Sequence, residues 1–324
     1  MPATVPGPHP TTFLPLAAGY APLVGHHRHL LDDRVRTRAL LRAIARVVRP
    51  GDRVADLGTG TGILAIAARR AGARAVWAID HDPIVRVAAA IARDNAIDGI
   101  TFLEQHSKDV VLPEPIDVIV SECFGPFAIG GSMIRAVCDL RARHLAPGGR
   151  VIPRGVTLFA APVEAADVFA HVAAFSRARY GLRWARAHQL ATHNVYNTVI
   201  QPSALIAPGA ALRTIDVETA AWRGALDATV EFVPRRSARV HGFVGWFTAD
   251  LGGGVTLSTA PGKPATVWRQ VFFPLPQPIK VTTRTRIRLT VRCLAGEHFD
   301  WAGEIGQNGF SCSTRYSYPA ALGS

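Results

Sequence analysis

Cysteine, lysine and negative charge are all scarce in this chain. Its 4 cysteines, Cys123, Cys138, Cys293 and Cys312, lie far apart among 324 residues with no Cys-x-x-Cys pair. That excludes a disulfide framework and a cysteine zinc site, so reduced thiols and no metal are expected. Lys108, Lys263 and Lys280 are the only lysines among 36 basic residues, set against 24 acidic ones. An excess carried almost wholly by arginine reads as the bias of a GC-rich genome on a solvated surface. The net charge of +12 is therefore not taken as a nucleic-acid footprint, although an acidic partner stays open. No apolar run approaches the ~20 residues of a membrane helix, and the first residues lack the basic region of a signal peptide. A cytoplasmic protein without a membrane segment is the expectation.

What the chain has is apolar residues. With 48% hydrophobic and 19% charged residues it can bury a large core, which excludes disorder, and at ~150 residues per domain the length suggests two domains. Residues 35–48 put Leu40, Leu41, Ile44, Val47 and Val48 on one helical face, with Asp32 and Asp33 before them as cap candidates. There follow a strand ending at Asp56, a glycine turn, a helix through Ala71, a strand Ala75 to Asp80 and a helix opened by Asp82-Pro83. Strands near 101–104 and 116–121, a helix over 131–144 and a turn at Pro147-Gly148-Gly149 complete an alternation that implies a parallel sheet covered by helices. From Pro153 the period becomes two, with strands at 156–161, 226–233, 240–247, 255–258, 267–273 and 286–293, a mainly β half of barrel or sandwich type.

The glycine turn carries the first chemistry. In Val54-Ala55-Asp56-Leu57-Gly58-Thr59-Gly60-Thr61-Gly62 three alternate glycines stand where a strand hands over to a helix, so backbone can approach a ligand without Cβ clashes. Asp80, at the end of the next strand, is placed for a carboxylate that accepts ribose hydroxyls. A dinucleotide site would offer its helix N-terminus to a pyrophosphate, but Asp56 just before the turn repels phosphate. It suits instead the cationic amino-acid end of S-adenosylmethionine.

The loop after the fourth strand narrows the class. Nucleic-acid amino-methyltransferases carry Asn/Asp-Pro-Pro-aromatic there. This chain reads Ser121-Glu122-Cys123-Phe124-Gly125-Pro126-Phe127, then Gly130-Gly131-Ser132-Met133. The segment resembles the protein arginine methyltransferases, whose loop runs Ser-Glu-x-x-Gly and reaches a second glutamate, followed by Ser-Met, at the position of Gly131. The likeness extends over residues 20–318, through Asp33-Arg34-Val35-Arg36-Thr37, residues 148–158, Gly242 to Phe247 and Trp268-Arg269-Gln270.

The resemblance implies a fold and a set of roles. The fold is α/β: a Rossmann-like class I methyltransferase domain over residues 20–152, after a mobile segment 1–19, then a β-barrel domain over 153–324. Pro153 would follow a cis peptide, and residues 184–202 would form a dimerisation arm, giving a homodimer. His27 and Arg36 would meet the methionine carboxylate, Asp56 the amino group and Asp80 the ribose, with Gly58, Thr59, Gly60 and Gly62 as the cradle. Ser107 and Asp109 would face the adenine, since Lys108 stands where the family has an acid. Glu122 would be catalytic and, with Met133 and Trp268, would bind the acceptor.

The acceptor side departs from the family. Gly131 replaces the second glutamate, and Val267 replaces the histidine that would pair with Asp33. A charge-assisted hydrogen bond is worth ~1.5–3 kcal/mol, so losing one glutamate weakens guanidinium capture by about tenfold to over a hundredfold. On that ground the expected activity is N-methylation of an amine in a small molecule or peptide, as in natural-product tailoring. Arginine N-methylation of a protein or peptide is the alternative, and a non-catalytic cofactor-binding scaffold the second.

Overall fold

The computed structural model describes residues 20–317, apart from 126, 131, 132, 179, 220, 221, 223, 224, 295 and 296. The expected mobile segment 1–19 lies outside the described residues, and so does Gly131.

Two helices come first, α1 (Tyr20–Asp32) and α2 (Arg34–Val47). Asp33 separates them and caps α2, its Oδ1 accepting the Arg36 backbone N–H at 2.9 Å. The apolar stripe read from the sequence is the buried one: Leu40, Ala43, Ile44 and Val47 face inward while Arg38 and Arg42 stay in water.

Strand and helix then alternate as β1 (Arg53–Leu57), α3 (Ile63–Arg70), β2 (Ala75–Asp80), α4 (Ile84–Asp94), β3 (Ile100–Glu104), β4 (Ile116–Ser121), α5 (Met133–His144) and β5 (Leu145–Ile152). The five strands make one parallel sheet in the order β3-β2-β1-β4-β5. Helix cover on both faces explains why Val54, Ala55, Val118, Ile119 and Val120 are all fully buried in unbroken apolar runs. The strand order reverses between β1 and β4, and in such a sheet the crevice at the carboxyl ends of those strands is the ligand position. The turn expected at Pro147-Gly148-Gly149 is a bulge inside β5: Ile116 pairs with Leu145 but Val118 with Arg150, and Gly148 supplies the φ of +76° that the looped-out residues need.

Beyond the cis Ile152–Pro153 bond all pairing is antiparallel. The elements are β6 (Gly155–Val163), α6 (Ala166–Val172), α7 (Ala185–Thr192), β7 (Tyr196–Thr198), β8 (Ala210–Asp216), β9 (Ala225–Phe232), β10 (Ala238–Asp250), β11 (Thr256–Ser258), β12 (Gln270–Val281), β13 (Ile287–Leu294), β14 (His298–Ile305) and β15 (Asn308–Ser313). One sheet runs β7-β12-β10-β6-β8 with β11 beside β10, and the other runs β15-β14-β13-β9. The barrel-like half is thus two facing sheets among the described residues. They share an aromatic core in which Phe243 meets Phe310 at 5.6 Å and Phe273 meets Trp301 at 5.7 Å, and Trp301 Nε1 donates to the Pro274 carbonyl at 2.7 Å. The strand expected from residue 267 begins only at Gln270. Residues 266–269 close a tight turn instead, the Arg269 N–H donating to the Thr266 carbonyl at 3.1 Å.

Candidate active site

The glycine turn at the end of β1 is built from backbone. Gly58 and Thr59 both donate their N–H to the Ile79 carbonyl, at 2.8 and 3.0 Å, which pins the turn to β2. Gly58 and Gly60 adopt φ of +76° and +52°, a region costly to residues with a Cβ. A Cβ on Gly58 would lie 2.0 Å from Cys123 Sγ, and one on Gly60 would lie 2.7 Å from His27 Cε1. The His27 ring of α1 therefore covers Gly60, and only glycine lets α1 and the β4 loop come so close. Gly62 opens α3, where a Cβ would press on Ala88 of α4 at 3.0 Å.

Two carboxylates frame this cradle. Asp80 Oδ2 accepts the Gly60 N–H at 2.9 Å and its Oδ1 the Asp82 N–H at 3.0 Å. Each oxygen keeps a further lone pair for a ligand hydroxyl. Asp56 is fully buried; its Oδ2 accepts from Thr59 Oγ1 at 2.7 Å and the Ala65 N–H at 2.9 Å, while Oδ1 has no partner. Burial holds the Asp56 carboxyl up at about 7 despite those two bonds. The cleft beside them is walled by Gly58, Asp80, Gln105, His106, Ser107 and Met133. Ser107 lines this cleft, whereas Asp109 is exposed and does not. Gln105, His81 and His106 were not anticipated from sequence; polar residues just past the ends of β2 and β3 were the available signal.

The acceptor side is assembled from three distant segments. Arg36 of α2 and Glu122 after β4 form an ion pair, both nearly closed to solvent. Arg36 also donates to the Leu30 carbonyl at 2.9 Å, and its Cζ lies 5.8 Å from the ring centroid of Trp268. Burial lowers the Arg36 pKa to about 10, so it remains a cation at neutral pH, and its Nε is left without a partner. Trp268 packs edge-on against Phe124 and Phe247 at 5.6 and 5.4 Å and donates its Nε1–H to the Phe124 carbonyl at 3.0 Å. Asp33 Oδ2 accepts the Val267 backbone N–H at 2.8 Å. The tie between α2 and the 266–269 turn, expected to be lost with the histidine, is thus kept by backbone.

Cys123, from the same β4 loop, is exposed and rests its thiol on Gly58. The His27 pKa is lowered by burial and by neighbouring His26. No cluster of three or more metal-ligating side chains occurs among the described residues.

Comparison with known proteins bears on this geometry. Residues 7–159 match the family model of the ribosomal protein L11 methyltransferase (PrmA), and residues 155–300 match that of the arginine methyltransferase oligomerization subdomain. Protein arginine N-methyltransferase 1 of Dictyostelium discoideum is 29% identical over 300 residues, covering 87% of this chain and 88% of its own. Protein arginine N-methyltransferase 6 of Xenopus tropicalis is 28% identical over 278 residues, 82% of each. The chain is similar along most of its length to protein arginine methyltransferases.

Solved structures of that family share the fold. The Trypanosoma brucei PRMT1 enzyme–prozyme heterotetrameric complex with AdoHcy superposes with a TM-score of 0.81 at 23% identity, over 89% of this chain and 97% of that one. Arabidopsis thaliana protein arginine methyltransferase 10 gives 0.77 at 24% identity, over 89% and 96%. The chain is an S-adenosylmethionine-dependent methyltransferase.

The expectation of an amine acceptor is overturned by these relatives, which carry the name of arginine N-methyltransferases along most of their length. Its physical premise was that one carboxylate holds a guanidinium more weakly than two. Glu122 Oε2 is held by Arg36 and its Oε1 accepts the Phe124 N–H at 3.4 Å, and since each carboxylate oxygen carries two lone pairs, the fixed carboxylate can still accept from a guanidinium.

Proposed function

We propose that the protein is an arginine N-methyltransferase in which Glu122 holds the acceptor guanidinium and the β1–β2 side of the cleft holds the cofactor. One observation carries this reading: the buried Arg36–Glu122 pair, roofed by Trp268, fixes a carboxylate beside the glycine cradle.

The residues present fit S-adenosylmethionine. Asp56 Oδ1 is a buried acceptor without a donor, suited to an ammonium, and Arg36 Nε is a buried donor without an acceptor, suited to a carboxylate. His27, Asp80, Thr59, Ser107 and the glycines would complete the binding surface, with Gly58 and Gly60 removing the side chains that would fill it. Bound there, the cofactor supplies an electrophilic methyl group on a sulfonium.

The chain's own part is to make a poor nucleophile attack. Glu122 accepts N–H bonds from the guanidinium and concentrates its positive charge on the nitrogens it touches, leaving electron density on the one that attacks. Arg36 holds Glu122 stationary, so little reorganisation is needed during transfer. As the new N–C bond replaced the methyl–sulfur bond, whose electron pair would leave with the sulfur, the nitrogen would shed one proton, and the Glu122 carboxylate would be its acceptor. Trp268 and Phe124 exclude water from one side of this pair.

Residues 184–202, which include α7 and β7, are assigned as a homodimerisation arm, in line with the oligomerization subdomain matched over 155–300. Light scattering should then give about twice 34.7 kDa. The activity is tested by mass spectrometry of matched arginine-containing and amine-containing peptides after incubation with cofactor. A methyl increment on the arginine side chain supports the reading, and an increment confined to the amine overturns it.

A further inference from the structure

Arg36 stands between the two halves of the proposed site. Its Nη2 pairs with Glu122, the carboxylate assigned to the acceptor, and its Nη1 donates to the Leu30 carbonyl at 2.9 Å. That leaves Nε, a buried donor without a partner, for the carboxylate end of the cofactor. The glycine cradle is close on two sides. The charge of Arg36 acts on His27, whose ring covers Gly60, and Glu122 is followed in the chain by Cys123, whose thiol rests on Gly58. One cation therefore borders both the acceptor carboxylate and the cofactor cradle.

Burial gives this sharing an energetic consequence. Arg36 is 7% exposed and Glu122 9%, so water screens their charges little. In the ligand-free protein Arg36 is the counter-charge of Glu122, and an entering guanidinium would set two cations against that one carboxylate. With a carboxylate held on Arg36 the charges alternate instead, as ligand carboxylate, Arg36, Glu122 and acceptor guanidinium, and each buried cation has an anion of its own. The other charged groups nearby do not create this difference. Asp33 also acts on Arg36, but its oxygens accept the Arg36 and Val267 amides, and it adds the same attraction whether the cofactor cradle is empty or filled. Asp56 is assigned to the ligand ammonium and Asp80 to uncharged hydroxyls.

We propose that the Arg36–Glu122 pair couples the two sites, so that the acceptor guanidinium binds well only while a carboxylate is held on Arg36. The inference rests on the arginine-methylation reading and adds how the acceptor site is regulated. Toward the acceptor Arg36 is a positioning residue, acting through Glu122. Coupling of this kind is reciprocal: a bound guanidinium tightens a carboxylate-bearing ligand by the same factor that the ligand tightens the guanidinium. An arginine peptide then does not occupy the empty enzyme, and the cofactor is retained until methyl transfer.

Binding of one labelled arginine peptide, read by fluorescence anisotropy in three states of the protein, tests it. The states are ligand-free, saturated with S-adenosylhomocysteine, and saturated with decarboxylated S-adenosylhomocysteine, which keeps the base, ribose, thioether and ammonium and lacks only the carboxylate. The peptide should bind about tenfold or more tightly with S-adenosylhomocysteine than in either other state. Calorimetry should show the reciprocal gain for S-adenosylhomocysteine and none for the decarboxylated analogue. Arg36→Gln should make peptide affinity the same in all three states. Glu122→Gln frees the charge of Arg36 and should tighten S-adenosylhomocysteine by about three- to tenfold while leaving the analogue unchanged; that unchanged affinity shows each variant to be folded. Equal peptide affinity with the two ligands, or a difference that survives in Arg36→Gln, overturns the inference while arginine methylation stands. Cofactor binding without methylation of any arginine peptide overturns the functional reading and this one with it.

Discussion

The two walls of the proposed site are built in opposite ways. The cofactor wall is nearly one piece of chain: Asp56, the glycines and Asp80 fall within 25 consecutive residues of one β-turn-α-β unit, held by Ile79 accepting from Gly58 and Thr59. The acceptor wall joins α2, the β4 loop and the 266–269 turn through single contacts, Arg36 to Glu122, Asp33 to Val267 and Trp268 to Phe124. A contiguous wall resists damage to one residue because its backbone frame persists. A wall made of three segments depends on each joint, and its position is set only when both halves of the chain have packed.

The largest expected effect is on the acceptor wall. Glu122→Gln should lower methyl transfer by about 10²- to 10⁴-fold while cofactor affinity, measured by calorimetry, stays within about tenfold. It also leaves the buried Arg36 without a counter-charge, so thermal unfolding should show a clear loss of stability; complete removal of such a partner costs ~3–5 kcal/mol. Full turnover by Glu122→Gln would sink the assignment of that wall.

Asp80→Ala strikes the other wall. It removes the acceptor for ligand hydroxyls and the partner of the Gly60 N–H, so the Kd for S-adenosylhomocysteine should rise about a hundredfold or more at ~1.5–3 kcal/mol for each charge-assisted bond. The acceptor wall should survive, with Trp268 fluorescence little changed.

pH separates the walls in a third way. In the ligand-free protein burial holds Asp56 at about 7, above its ordinary 3.8. A raised carboxyl pKa contributes stability that is fully present below about 4 and is lost as pH rises through 7. Cofactor binding moves oppositely: the ammonium needs ionised Asp56, so affinity should rise as pH climbs through about 7, until the ligand's own amino group loses its proton near 8. Asp56→Asn should abolish both dependences. Calorimetry in buffers of different ionisation heat should also detect proton release in the wild type; its absence below pH 7 would contradict a protonated Asp56.

The smallest effects test the joints. Asp33→Ala removes the α2 cap and the Val267 bond, and should cost about 1–2 kcal/mol in denaturant unfolding. Trp268→Phe keeps the aromatic packing but loses the Nε1–H bond to Phe124, at about 1 kcal/mol. Both should lower kcat/KM more than they change cofactor affinity. Equal losses on both sides would show that the walls are one unit.

The sequence by itself determined the cofactor wall and most of the framework. Apolar periodicity located α2 and the five parallel strands, the alternate glycines announced backbone that must turn at positive φ, and Asp80 followed at the next strand end; all these signals are local, set by neighbours in the chain. Local signals did not reveal β8, β14 or β15, whose exposed polar faces blur their alternation. They also misplaced the start of β12, because the 266–269 turn is stabilised by what Trp268 meets across the molecule. The acceptor chemistry was misjudged for the same reason. Read along the chain, Glu122 stood alone opposite a missing partner, and Arg36 was assigned only to the cofactor. Only the tertiary structure could bring a residue of α2 onto that carboxylate under Trp268, because a buried ion pair between residues 86 positions apart forms only where packing excludes water from both at once.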